Sequence, residues 1–276
     1  MNGLITTDWL QKHLADNDLI ILDVSQSTSV NNQNDVHSAI YIPGAISLSL
    51  KDWSDSKSQL PNTFPSPEHF AAKCQEIGIK NDSKIVVYDD QGLYFSPRIW
   101  WMFNAMGHNK VAVLDGGLPK WINEARETAS ETRKTSLKRN FEPKLTKGLI
   151  KSYDQIYQNI DSDEFVVVDA RSKGRFDGTA PEPREGLSSG HIPKSVNLPY
   201  TEVLNGTSLK NQDELQNIFN LKGLSDRKMV FSCGSGLTAC IVALARHQLT
   251  NQLSPIYDGS WTEWAQIVSS PIATAD

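Results

Sequence analysis

The sequence predicts an α/β protein built as two copies of one small domain, each a parallel sheet with helices on both faces. Three observations predict it: an ordered set of signals that occurs twice, apolar strand-like runs alternating with helical stretches, and a length of 276 residues that suits two ordinary domains.

Each half opens on an apolar run closed by aspartate, LIILDV at 19–24 and FVVVDA at 165–170, short and branched enough for a buried strand. An Ile-Pro turn follows, in YIPGAISL at 41–48 and HIPKSVNL at 191–198, leading to a further strand. A second apolar strand then feeds a turn and a helix, KIVVYDDQGLYFSPRIWWMF at 84–103 and KMVFSCGSGLTACIVALARH at 228–247. Each half closes on Asp-Gly with a tryptophan six residues after the aspartate, DGGLPKW at 115–121 and DGSWTEW at 258–264. The offset drifts only from about 150 residues at the Ile-Pro turn to 143 at the Asp-Gly turn, as changes in loop length after a duplication would produce. Strands alternating with helices imply parallel pairing through crossovers, and in such sheets reactive groups belong at the strand C-termini.

The reading divides the chain into domains over 1–127 and 149–276. The polar, charged stretch TASETRKTSLKRNFEPKLTKG at 128–148 is expected to be a linker, with Arg133, Lys134, Lys138 and Arg139 as solvated charges. Trp100, Trp101, Trp121 and Trp264 stand at repeat landmarks and are expected in the cores. His191 heads the turn that Tyr41 heads in the other half, so it too reads as structural.

A 39% apolar composition fits packed cores, and a net charge of -5 excludes a broad electrostatic grip on nucleic acid. No run approaches the roughly 18 apolar residues of a membrane span, and the opening MNGLITTDWLQKHL has neither a basic leader nor an apolar core, so a cytoplasmic protein is expected. Cys74, Cys233 and Cys240 are too few and too irregularly spaced for a disulfide framework or a four-thiolate zinc site. No metal or organic cofactor is expected. Cys74 and Cys240 read as small buried hydrophobes.

Cys233 differs, because it falls between a short buried strand and an apolar, helix-forming run. A tight glycine-containing loop at a helix start turns several backbone N–H groups inward, where they favour an anion such as a thiolate, the nucleophilic form of cysteine. Gly234 and Gly236 permit that bend, and Ser235 adds a hydroxyl. The first half has Asp89 or Asp90 in the equivalent turn, so one half keeps chemistry and the other structure. A phosphatase would need arginine six residues after such a cysteine to clamp a phosphoryl dianion; Ala239 stands there, which excludes it.

The stretches VVVDARSKGRFDGTAPEPREGLSSGHIPKSVNLP at 166–199, CGSGLTAC at 233–240 and YDGSWTEW at 257–264 resemble the tandem rhodanese-domain sulfurtransferases, and the likeness spans nearly the whole chain. The resemblance implies two rhodanese-like domains, the N-terminal one catalytically silent. It also implies an enzyme in which Cys233 takes a sulfane sulfur as a persulfide from a small anionic donor. A thiol such as thioredoxin or a small thiol, or cyanide, then accepts the sulfur. A neutral Cys-Gly-Ser-Gly loop is similar to the 3-mercaptopyruvate branch, where thiosulfate enzymes place cations after the cysteine. In that family Arg175 and Arg184 fall at substrate-binding positions, and Gly234, Gly236, Leu237 and Thr238 fall in the loop that holds the sulfur beside Ser235. A thiosulfate sulfurtransferase, or a sulfur-carrier module without turnover, stands as the alternative.

One departure bears on mechanism. Where mercaptopyruvate enzymes pair the loop serine with an Asp and a His of the first domain, IPGAISLSLKDWSDSKSQLPNTFPSPEHF at 42–70 has Ser49 and Asn62. A serine relay is therefore expected to be broken or rerouted, with Asp52, Asp55 and His69 as nearby substitutes.

Overall fold

The computed structural model describes residues 2–26, 40–134 and 138–275. They form two compact units. The first comprises Met1–Ser56, Pro65–Leu145 and Gly206–Ser208, and the second Lys57–Phe64, Thr146–Asn205 and Leu209–Asp276.

In the first unit the elements run β1 (Gly3–Ile5), α1 (Thr7–His13), β2 (Leu19–Asp23), β3 (Ile46–Ser47), α2 (Pro67–Glu76), β4 (Lys84–Tyr88), α3 (Ser96–Ala105), β5 (Val111–Leu114) and α4 (Gly117–Asn123). The second runs β6 (Ile150–Lys151), α5 (Tyr153–Ser162), β7 (Val166–Asp169), α6 (Lys173–Asp177) and β8 (Val196–Asn197). Short strands β9 (Leu204–Asn205) and β10 (Ser208–Leu209) follow, then α7 (Gln212–Leu221), β11 (Met229–Ser232), α8 (Ala239–Thr250), β12 (Ile256–Tyr257) and α9 (Ser260–Trp264). Both main sheets are parallel, ordered β1-β5-β4-β2-β3 and β6-β12-β11-β7-β8. Strand for strand these are one topology, which is the duplication expressed as connectivity.

Local sequence explains the elements. Strands β5, β7 and β11 are buried at every residue, as strands covered on both faces must be. Ser152 and Asn211 open α5 and α7 with complete capping boxes to Gln155 and Glu214, satisfying two otherwise orphaned amides each. The first core gathers Leu10, Ile21, Val86, Leu114 and Trp121, and the second Ile156, Val167, Val230, Tyr257 and Trp264. Trp100 and Trp101 are buried as well. Among the described residues no helix is long and apolar enough to cross a membrane.

Of the stretch 128–148, expected as a linker, the part up to Leu145 groups with the first unit; residues 135–137 fall outside the described ones. Ala129 bridges Tyr41, the Arg133 N–H donates to the Ala45 carbonyl (2.7 Å), and Phe141 is buried against Phe70, Phe103 and His108. The second unit repeats the bridge with its own tail, His191 against Ala273. His191 stacks on Phe176 at 3.9 Å and engages its carbonyl, a structural use of the ring.

The topology fixes where a site can form. From β7 the chain moves outward to β8, and from β11 it moves the other way to β12, so the crevice beyond the C-termini of β7 and β11 is the switch point of the sheet. Asp169 and Ser232 are paired there, and Cys233 is the next residue.

Candidate active site

The loop from Cys233 to Thr238 joins β11 to α8 and is almost wholly buried: Cys233 is 1% exposed and Ser235 7%. Its amides divide into two sets. The Cys233 and Gly236 N–H groups donate to the hydroxyl of Ser260 (3.3 and 3.0 Å), which itself donates to the Tyr257 carbonyl (2.8 Å). Those of Gly234, Ser235, Leu237 and Thr238 donate to no protein acceptor among the described residues. Four amides without a protein acceptor at the start of a twelve-residue helix suit an anion.

The first unit contains the same loop with the anion built in. Asp89, at the position of Cys233, is fully buried, and its carboxylate accepts the N–H groups of Gln91, Phe95 and Ser96 (2.8–3.0 Å) and the Ser96 hydroxyl (2.6 Å). The thiol of Cys233 occupies a position that the chain elsewhere gives to a negative charge.

Arg175 and Arg184 converge on this loop at Gly234. A Cβ there would lie 3.1 Å from Arg175 Nη2 and 3.6 Å from Arg184 Nη1, a close approach that glycine permits. The two guanidiniums differ in commitment. Arg175, half-buried, spends Nε and Nη2 on the two carboxylate oxygens of Glu182 (3.0 and 2.6 Å). Arg184 is exposed and is tethered through Nη1 to the Thr262 hydroxyl (3.3 Å), whose own proton goes to the Gly234 carbonyl (2.6 Å). The more open fork belongs to Arg184.

Beneath them lies a buried ionic network that the motifs alone did not single out. Arg171, with no exposed side-chain surface, is bidentate to Asp169, reaches Glu182 (2.8 Å) and the Gly190 carbonyl (2.7 Å), and stacks over Trp261 at 4.1 Å. Two arginines and two carboxylates thus neutralise one another, so each buried charge is paired as burial requires. The sequence signal was present in Asp-Ala-Arg at 169–171, which begins on the last residue of β7, and in Glu-Pro-Arg at 182–184, but which of these charges pair, and that they are buried, is identified only by the fold. Ser260 and Thr262 were likewise hidden inside a quoted motif. In α9, burial raises the carboxyl of Glu263 above its usual range, with the Asp258 charge adding to the effect.

Asn62 belongs to the second unit, and its side-chain amide donates to the Ser235 hydroxyl (3.0 Å). Next to it the Phe64 N–H donates to Asp258 (2.7 Å). In the first unit Ser49 is exposed, and His69 Nε2 is engaged with the Asp52 backbone carbonyl (2.7 Å). Cys74 and Cys240 are fully buried; burial pushes the Cys74 thiol well up, and Cys240 donates to the Gly236 carbonyl.

Comparison with known proteins agrees with this architecture. The profile of the rhodanese-like domain matches residues 6–124 and 152–267. Thiosulfate/3-mercaptopyruvate sulfurtransferase 1, mitochondrial, of Arabidopsis thaliana is 37% identical over 99% of this chain and 78% of its own. The 3-mercaptopyruvate sulfurtransferase of Homo sapiens is 42% identical over 81% of this chain and 76% of its own. The crystal structure of SseA from Escherichia coli, described as a 3-mercaptopyruvate sulfotransferase, superposes with a TM-score of 0.83 at 30% identity, covering 95% of this chain and 99% of that one. With a doubled sheet topology, a cysteine at the switch point of one copy and a family match in both halves, the chain belongs to the rhodanese family as a tandem two-domain sulfurtransferase.

Proposed function

We propose that the chain moves sulfane sulfur from 3-mercaptopyruvate through a persulfide on Cys233, with the C-terminal half catalytic and the N-terminal half silent. Arg184 takes the donor carboxylate, and the remaining N–H groups of Arg175 take the keto oxygen. The Cys233 thiolate attacks the donor sulfur, the carbon–sulfur bond breaks, and its electron pair leaves as pyruvate enolate. The proton that the donor thiol gives up as its sulfur becomes the persulfide anion passes to the enolate carbon and gives pyruvate. The amides of Gly234 to Thr238 hold the persulfide anion, and Ser235, receiving the Asn62 amide, directs its own proton toward the donor carbonyl. A thiol such as thioredoxin or a small thiol, or cyanide, then removes the outer sulfur and restores the thiolate. We place this activity in the cytoplasm.

The observation that carries the reading is the meeting of two guanidiniums at Gly234 beside a loop that itself bears no charge. That arrangement suits a donor whose charge lies some atoms from its sulfur. Intact-mass measurement after mixing with 3-mercaptopyruvate tests it: the protein should gain about 32 Da, one sulfur, and Cys233→Ser should gain none. A wild-type chain that gains no mass would overturn the reading.

Asn62 favours a second reading. Carbon–sulfur cleavage in mercaptopyruvate needs a proton carried from the donor thiol to carbon, whereas thiosulfate releases sulfite and needs none, and an amide beside Ser235 cannot relay one. Turnover of the two donors with one acceptor separates them; faster use of thiosulfate would establish the second.

A further inference from the structure

The duplicated chain carries its own control for the nucleophile loop. In the first unit the Leu118 N–H donates to the Asp89 carbonyl (3.0 Å), and in the second the Trp261 N–H donates to the Cys233 carbonyl (2.9 Å), so α4 and α9 brace their loops alike. The flanking positions differ. Where the first unit has Gly117 and Pro119, the second has Ser260 and Thr262.

Gly117 and Ser260 share a φ of 52°, a left-handed conformation that glycine adopts freely and that side chains bearing a Cβ rarely do. Ser260 is fully buried in it, with its hydroxyl on the amides of Cys233 and Gly236 and on the Tyr257 carbonyl. A disfavoured backbone held by three hydrogen bonds marks a residue retained for what its side chain does.

What it does follows from the first unit. There the loop is tied by the Asp89 carboxylate, the side chain at its first position. A reacting thiol cannot serve as such a tie, because its sulfur must stay free to attack and then to carry a second sulfur. We propose that Ser260 replaces that tie: it is a positioning residue that fixes the Cys233 loop from outside, leaving the thiol and the four remaining amides for sulfur. Thr262 extends the brace, its N–H (3.1 Å) and hydroxyl both donating to the Gly234 carbonyl while Arg184 donates to the hydroxyl. This assignment rests on the reading of Cys233 as the sulfur acceptor.

The test uses the full-length chain with Ser260→Gly and Ser260→Ala. Ser260→Gly installs the residue that the first unit carries at the same φ, so its fold is retained, and Ser260→Ala removes the hydroxyl while keeping the Cβ. Both should lower kcat with mercaptopyruvate roughly 10- to 100-fold while leaving KM within about threefold, since the change misplaces the attacking sulfur and spares the arginines. Alkylation of Cys233 by iodoacetamide at pH 7, followed by intact mass, should slow in parallel in Ser260→Gly. A Ser260→Gly enzyme with kcat within about twofold of wild type would overturn the proposal, as would a kcat loss matched by an equal rise in KM. Should the wild type turn over neither mercaptopyruvate nor thiosulfate, the proposed function fails, and the alkylation rates alone decide the positioning role: slower in Ser260→Gly supports it, equal or faster rejects it.

Discussion

Position 62 sets which kind of group meets the Ser235 hydroxyl. An amide donates through nitrogen and has no proton equilibrium near neutral pH, so Ser235 is polarised but never deprotonated by it. Imidazole has such an equilibrium and can accept as well as donate through nitrogen, and histidine, like asparagine, tolerates the left-handed backbone that Asn62 adopts at φ 57°. Asn62→His should therefore fold, and its kcat profile should acquire a limb near the ordinary imidazole pKa of about 6.5 that the wild-type profile lacks. Identical pH profiles for the two proteins would show that position 62 does not reach the proton inventory of the reaction. Single residues of this kind were unevenly legible in the sequence. Cys233 stands out because glycines and a helix start surround it. Arg171 and Glu182 do not, because a buried charge is recognised by its partner, and Asp169, Arg171, Glu182 and Arg175 become partners only when α6 and the loop after it fold back over β7.

The loop between the fourth strand and the following helix is one element supported in two ways, and the difference is energetic. In the first unit removal of the Asp89 side chain strips the acceptor from the buried amides of Phe95 and Ser96 and from the buried Ser96 hydroxyl, each worth about 1–3 kcal/mol when left unsatisfied, and from the part-buried Gln91 amide. In the second the loop amides of Cys233 and Gly236 donate instead to the Ser260 hydroxyl. Asp89→Ala should accordingly cost about 3 kcal/mol or more in urea denaturation, against about 1 kcal/mol for Cys233→Ala, which loses one buried sulfur. Equal losses would mean that the two loops are held alike. The order of elements was readable beforehand because buried strands, Ile-Pro turns and Asp-Gly turns leave strong local marks, and both sheets follow it. The stretch at 128–148 misleads for the opposite reason: Phe141, the one aromatic residue in it, packs into the first core, while its charged neighbours show no period. Residues 57–64 carry no local signal at all for grouping with the second unit, yet that grouping brings Asn62 to Ser235.

For the molecule as a whole, the first unit buries titratable groups that the proposed sulfur transfer does not use. His108 is 4% exposed among Phe103 and Phe141, and burial holds its pKa below the ordinary imidazole value. The sign of the consequence is fixed by linkage. A folded pKa below the unfolded value of about 6.5 means that the unfolded chain takes the proton first, so the contribution to stability is complete above that pH and is lost as the pH falls toward the folded value. Asp23 and Asp90, raised chiefly by burial, act in the opposite sense and in a lower window, losing stability as the pH climbs from about 4. Between pH 8 and 5.5 the histidine should dominate the slope of these three. His108→Asn, which keeps a hydrogen-bonding side chain but cannot titrate, should lower the melting temperature at pH 8 yet show a smaller further drop at pH 5.5 than the wild type does. Thermal denaturation of both proteins across that range checks it, and parallel curves would remove His108 from the acid sensitivity of the fold.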